Sequence, residues 1–364
     1  MLPLSGPGRG PDAGLAARGR FAMNTPEAQV HSARHSWSPR AVLRGRWLTV
    51  LSFSIFLAVT VALIAVNGLF LSRDLLFLWV LVGLLALSVS DLKRWVRGLI
   101  FDWLPFAAWL VLYDLSRFFS EKLGTVPHVS PQIRVDQILF GDPVPTVRLQ
   151  AALNTAGQVA WFDYIVWAVY MTHYFATLVI AAMLWRFAYP RFREFRRMVL
   201  TLATFGFITY VAFPAVPPWM AAKLHHLEPV RRIVNVDVWN ALGIQVANSL
   251  VENGSGFFNQ VAAVPSLHAA YPVLFLLFFW AGARWYWRVV LVAYPLAMAF
   301  TLVYSGEHYV SDILLGWVYA VMAFVLVKAW DRWRAARRAE KEPVRPAGTP
   351  APAPAPLTPA VERE

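Results

Sequence analysis

Two short stretches, Val264-Pro265-Ser266-Leu267-His268-Ala269 and Gly306-Glu307-His308-Tyr309-Val310-Ser311-Asp312, each place a histidine where a long apolar run begins. Ionisable side chains at the edge of a membrane helix are costly to keep there and usually functional. On a helix His308 and Asp312 stand at i and i+4 and share one face. A carboxylate bonded to one ring nitrogen fixes the tautomer and stabilises the imidazolium, which leaves the other nitrogen free to attack. Ser266 and His268 open another helix, where Pro265 suits the first turn and the terminal amides make an anion site. Gly316, four residues beyond Asp312, keeps that face narrow so that another helix can approach. This set supports phosphoryl transfer. His308 would attack phosphorus with Asp312 orienting it, and His268 would protonate the departing oxygen and then deprotonate the acceptor. Ser266 and the helix-start amides would hold the non-bridging oxygens. Neither metal nor other cofactor is expected, because the chemistry needs none and the outer loops lack a dense carboxylate cluster for Mg²⁺.

The elements that must position these residues are membrane helices. The chain is 58% hydrophobic and 15% charged, with a mean hydropathy of +0.49, far above a soluble domain. Its 17 Trp and 12 Tyr fit the aromatic belts at headgroup level. Cysteine is absent, which excludes disulfides and thiolate metal sites. A net charge of +12 would point to nucleic acid in a soluble protein. In a membrane protein it reflects Lys and Arg gathered on cytoplasmic loops, so no nucleic-acid partner is expected.

The expected fold is all-α, a polytopic membrane bundle of about eight transmembrane helices with an outer-face loop cover. Apolar runs of spanning length fall at 47–71, 75–91, 98–119, 161–185, 197–213, 266–283, 287–304 and 309–330. The third is interrupted by Asp102, Asp114 and Arg117, of which the last two could pair at i and i+3. Residues 1–46 read as a disordered basic segment, not a signal peptide, with Met23 an alternative start. Residues 47–160 carry N-terminal helices and an outer loop, 161–330 the catalytic core, and 339–364 a disordered Pro/Ala-rich tail. With the N-terminus inside, every short inner loop is basic: Lys93, Arg94 and Arg97; Arg186 to Arg197; Arg284 and Arg288. The positive-inside rule thus puts both termini in the cytoplasm, and the starts of the sixth and eighth spans on the outer side. His268 and His308 are then expected on one face of a plasma membrane. Two longer segments, 120–160 and 214–265, lie on that side as well, and long connections of this kind are commonly functional.

Pro265-Ser266-x-His268 and His308-Tyr309-x-x-Asp312-x-x-x-Gly316 resemble the second and third signature motifs of the phosphatidic acid phosphatase type 2 superfamily. The resemblance implies a nucleophile at His308, an acid/base at His268 and an orienting carboxylate at Asp312. Two departures accompany it. Thr301-Leu302 stands where that family has Ser-Arg, and its first signature, a lysine followed by Arg-Pro, is absent. Ser-Leu-His-Ala, the missing arginine and Phe213-Pro-x-x-Pro-Pro-Trp219 together resemble the inositol phosphorylceramide synthase branch, whose members move phosphoinositol between lipids.

Phosphate charge would then be met by Ser266 and by Lys223, Arg231 and Arg232, with Arg134 and Arg148 as further outer-face cations. Trp219, Tyr309 and His173 are candidates for substrate contact. The leading reading is a lipid phosphotransferase working on membrane lipids through a phosphohistidine. Its rivals are a lipid phosphate or polyprenyl pyrophosphate phosphatase, and a non-enzymatic transporter or structural membrane protein of the same fold. A polyprenyl-phosphate glycosyltransferase would want an acid in the first outer loop, where Asp74 is the candidate. Headgroup, acceptor lipid and oligomeric state are not encoded in any pattern of the sequence.

Overall fold

In the computed structural model the apolar runs become helices, because backbone in hydrocarbon must satisfy its polar groups within its own segment. The structure describes residues 39–67, 73–90, 92–154, 158–243 and 261–341. The segment before 39, Met23 and the Pro/Ala-rich tail lie outside the described residues, as do the side chains of Asp74, Asp114 and Arg117.

The first helices are α1 (Pro39–Asn67), α2 (Arg73–Ser88) and α3 (Leu92–Gly98). A π-helical turn, Leu99–Trp103, leads into α4 (Leu104–Asp114) and α5 (Ser116–Lys122). Next come α6 (Ser130–Phe140), α7 (Pro145–Leu153), α8 (Trp161–Phe187), α9 (Tyr189–Ala212) and α10 (Pro218–Lys223). A second π turn, Ile233–Asp237, precedes the single turn α11 (Val238–Ala241). The core closes with α12 (Leu267–Phe279), α13 (Trp285–Tyr304) and α14 (Val310–Lys341). No strand occurs among the described residues, only isolated bridges of His128 with Ala215 and Ala215 with Ala262. The protein is a polytopic all-α membrane protein.

Five described segments are long and apolar enough to cross a membrane: Trp47–Val66, Trp161–Phe187, Tyr189–Ala212, Trp285–Tyr304 and Val310–Glu340. Phe77–Ser88 and Leu267–Gly282 are shorter apolar helices at the expected second and sixth runs. The expected third run is broken into the π turn, α4 and α5. The reason lies in Asp102, which is 4% exposed yet fully engaged. It accepts from Trp185 Nε1 at 2.9 Å, Tyr189 Oη at 3.2 Å and Arg196 at 2.6 Å. A carboxylate buried in this way is tolerated only with such partners. It ties the interrupted run to the sharp bend between α8 and α9.

From Thr49 on, the chain packs as one unit. One apolar core is built from α2, α8, α9, α12 and α14, with Trp103, Trp185, Phe192, Phe195 and Leu274 at its centre. A second surrounds the helix ends that carry the two motifs, joining Val166 and Tyr170 of α8 to Ile233, Trp239, Ala269, Leu302 and Ile313. The described part of the 120–160 segment carries α6 and α7 and forms a cover in which Ile133 and Val144 pack with Val216, Ala221 and Tyr309.

Asp102→Ala would leave the Arg196 guanidinium and two further donors without their acceptor. A loss of about 3 kcal/mol is expected, read as a clearly lower thermal midpoint of the purified protein in detergent.

Candidate active site

α12 and α14 start side by side, and a single backbone bond joins them: Ser266 N–H donates to the Asp312 carbonyl at 3.0 Å. Gly316 makes this possible. A Cβ built there would collide with the Ser266 carbonyl oxygen, so only glycine permits the approach. Ser266 is fully buried and caps α12, its Oγ accepting from Ala269 N–H at 3.3 Å. Tyr210 Oη holds the preceding Pro265 carbonyl at 2.7 Å.

α14 is capped from the cover. Asp136 of α6, wholly buried, accepts Val310 N–H and Ser311 N–H at 2.9 Å each. Negative charge at a helix N-terminus is favourable, and both amides would otherwise be orphans. The turn leading into α14 is equally determined. Gly306 adopts φ +77°, with Val230 and the Arg231 carbonyl where a side chain would go. Glu307 N–H and His308 N–H both donate to the Leu302 carbonyl, at 3.1 and 3.2 Å.

These constraints bring the two histidines into contact. His268 Nδ1 lies 3.0 Å from His308 Nε2, so one proton is shared between the rings. His308 Nδ1 faces Asp312 Oδ2 at 3.5 Å, while that oxygen accepts Tyr309 N–H at 3.0 Å. His308 and Asp312 are buried, at 4% and 1% exposure, whereas His268 is half-buried. The sequence expectation that Asp312 reaches His308 and that both histidines share one end of the bundle matches this geometry.

His173, expected as a substrate contact, stands directly against His268, their rings perpendicular with centroids 4.2 Å apart. Its Nδ1 is 2.5 Å from the Tyr170 carbonyl, which can only accept, so that nitrogen carries a proton. Trp219 is nearly buried and lies beneath two cations, Arg232 at 4.1 Å and Lys223 at 5.1 Å from its ring centre. Tyr309 is fully buried in the cover rather than in an open cleft. Burial, then the charges of Asp312 and Asp136, pushes its phenol well above the ordinary range.

The expected phosphate-binding cations differ in their commitments. Arg231 makes a bidentate pair with Asp237, both bonds 2.9 Å, and this raises its pKa. Arg232 is held by Glu307, through Nε at 3.1 Å and a second nitrogen at 3.3 Å. Burial works against the charge on Arg232, and the Glu307 carboxylate more than restores it, leaving the pKa raised. Arg148 donates to the Phe140 carbonyl at 2.7 Å, within the cover, and Arg134 is exposed.

Three residues of this neighbourhood were not among the sequence candidates. Glu307 adjoins His308 in the motif itself, which was the available signal. Asn235 donates to Glu307 Oε1 at 2.8 Å and to Tyr170 Oη at 3.2 Å. Asp136 carries no local signal, because its partners lie more than 170 positions away in the chain.

The profile of the PAP2 superfamily matches residues 136–326, more than half of the chain. The chain belongs to the PAP2 superfamily. The matched stretch begins at the capping residue Asp136 and takes in both histidine motifs. The chain is 26% identical over 236 residues to the inositol phosphorylceramide synthase catalytic subunit aur1 of Schizosaccharomyces pombe, covering 64% of this chain and 54% of that protein. Inositol phosphorylceramide synthase of Candida albicans is 26% identical over 233 residues, 62% of this chain and 47% of that protein. Phosphoinositol dihydroceramide synthase of Bacteroides thetaiotaomicron is 32% identical over 141 residues, 36% of this chain and 44% of that protein. The chain spans about half the length of the curated relatives it matches. No solved structure matches it.

Gly316→Val is expected to push Ser266 off Asp312 and part the two histidines. Overpacking of this kind costs about 1–3 kcal/mol. Helix content by circular dichroism should persist while turnover is lost, and retained turnover would show that the seam is dispensable.

Proposed function

We propose that the protein is a lipid phosphotransferase of the non-cytoplasmic membrane face that moves a phosphoinositol headgroup between lipids through a phosphohistidine. The observation that carries this reading is the contact array of Asp312, His308 and His268, at 3.5 and 3.0 Å. The names of the relatives support the headgroup and the acceptor class, a ceramide.

In the first step His308 Nε2 attacks phosphorus and the bond to the diacylglycerol oxygen breaks. His268 gives that oxygen its proton, and Asp312 stabilises the positive ring of the phosphorylated His308. In the second step His268 takes the proton of the acceptor hydroxyl, whose oxygen attacks phosphorus as the N–P bond breaks. Water in the acceptor's place would make the same machinery a hydrolase, and with a phosphomonoester donor a phosphatase. A gap of 3.0 Å between the two nitrogens has no room for a phosphoryl group, so substrate must part the rings. His268 is the less enclosed of the two rings, half-buried where His308 is buried.

Candidate roles follow for the remaining residues. Ser266 and the α12 amides face developing charge on the non-bridging oxygens, and Lys223 supplies positive potential, while Arg231 and Arg232 contribute as cations paired with carboxylates. Trp219, His173 and Tyr309 shape the walls, Tyr309 from inside the cover.

Two experiments test this reading. In vesicles containing phosphatidylinositol and ceramide, wild-type protein is expected to form a new phosphodiester lipid. His308→Ala should abolish it, and His268→Ala should lower it by about 10²–10⁴-fold. Rapid quench with labelled donor should trap the phosphoinositol group on His308. Release of free phosphate from lipid phosphates, with no new diester lipid, would favour the phosphatase reading. For sidedness, the cysteine-free chain allows single cysteines to be placed at exposed positions. A membrane-impermeant maleimide added to intact cells should label Glu228→Cys and spare Arg193→Cys; the reverse pattern would put the site inside.

A further inference from the structure

A site built to hold phosphate gathers cations in excess, because a phosphomonoester carries close to two negative charges at neutral pH. Here each of two adjacent arginines arrives with its own carboxylate. Arg231 is paired with Asp237, and Arg232 with Glu307. Glu307 is the more consequential of the two acids. It directly precedes His308, is 8% exposed, and lies in a turn fixed by two bonds to the Leu302 carbonyl and by Trp219 N–H to the Gly306 carbonyl at 3.1 Å. Its carboxylate accepts from Arg232 twice and from Asn235 once. The same Asn235 amide reaches Tyr170 Oη, and the Tyr170 ring lies 5.8 Å from that of His268. One chain of contacts therefore runs from Arg232 through Glu307, Asn235 and Tyr170 to the ring of His268.

A buried carboxylate is tolerated when paired, as Glu307 is by Arg232 and Asn235, yet its negative charge still opposes a bound anion. We propose that Glu307 is a specificity-determining residue whose fixed negative charge admits singly charged phosphodiesters and disfavours doubly charged phosphomonoesters. This deepens the transferase reading and rests on it. A headgroup transferase needs a phosphodiester donor and forms a phosphodiester product, while phosphatidic acid in the same bilayer is a monoester competitor. Neutralising Arg232 in advance removes the surplus positive potential that would favour the competitor. Asn235 and Trp219 hold the Arg232 pair in place, so its charge does not swing free toward a dianion.

The test compares kcat/KM for phosphatidylinositol with ceramide against kcat/KM for phosphate release from phosphatidic acid, using the full chain in phosphatidylcholine vesicles. Wild type should favour the diester. Glu307→Gln should shift the ratio toward phosphatidic acid by at least about tenfold, whereas Glu307→Asp, which keeps the charge, should hold the wild-type preference. An unmoved ratio in Glu307→Gln, or an equal shift in Glu307→Asp, would overturn the assignment while leaving the transferase reading intact. Wild-type preference for phosphatidic acid would overturn both. Should Glu307→Gln not fold, inhibition of the wild type by methyl phosphate and dimethyl phosphate reads the same charge rule. The monoanion should inhibit more tightly, and tighter inhibition by the dianion would refute the proposal.

Discussion

Everything at the catalytic end of the bundle depends on one close approach, the start of α12 lying against Gly316 of α14. The bond from Ser266 N–H to the Asp312 carbonyl is a backbone bond, insensitive to side-chain identity at either partner. Its cost falls on the facing position, where any side chain would collide with Ser266. Because the seam is short and made of backbone, it sets the relative height of His268 and His308 more tightly than side-chain packing would. The two rings then meet at 3.0 Å as a consequence of helix placement.

Buried acids recur through the molecule, each assigned to a structural junction. Asp102 ties the interrupted early run to the α8–α9 bend, and Asp136 caps α14 from the cover. Asp163 accepts Ala160 N–H at the start of α8 and Tyr304 Oη at the end of α13, both at 2.8 Å. A carboxylate in a low-dielectric interior is stable only when its lone pairs are met. Each of these residues therefore specifies one arrangement of its donors and penalises the alternatives. Gln150 acts similarly without charge, joining the Arg231 backbone to the Tyr304 carbonyl. The cover and the core are in this way one structure around the histidines.

Much of the fold was legible from apolar run length, because a bilayer imposes it on any chain that crosses it. The run at 98–119 was the exception. There Asp102 reads as an interruption, and only its three partners from α8 and α9 explain why the chain bends at that point. The His308–Asp312 relation was legible for a similar reason, since helical periodicity is a local property. The role of Gly316 followed from the same periodicity.

What the sequence determined by itself is the set of candidate reacting groups: their types, their spacing, and the family that spacing belongs to. Tertiary structure alone decided which groups surround them. That Asp136 caps the helix of Asp312, that His173 stands against His268, and that Glu307 takes Arg232 are contacts between positions dozens to more than a hundred residues apart. No local rule carries such pairings. They arise when apolar faces pack and each buried polar group accepts the partner that packing leaves within reach.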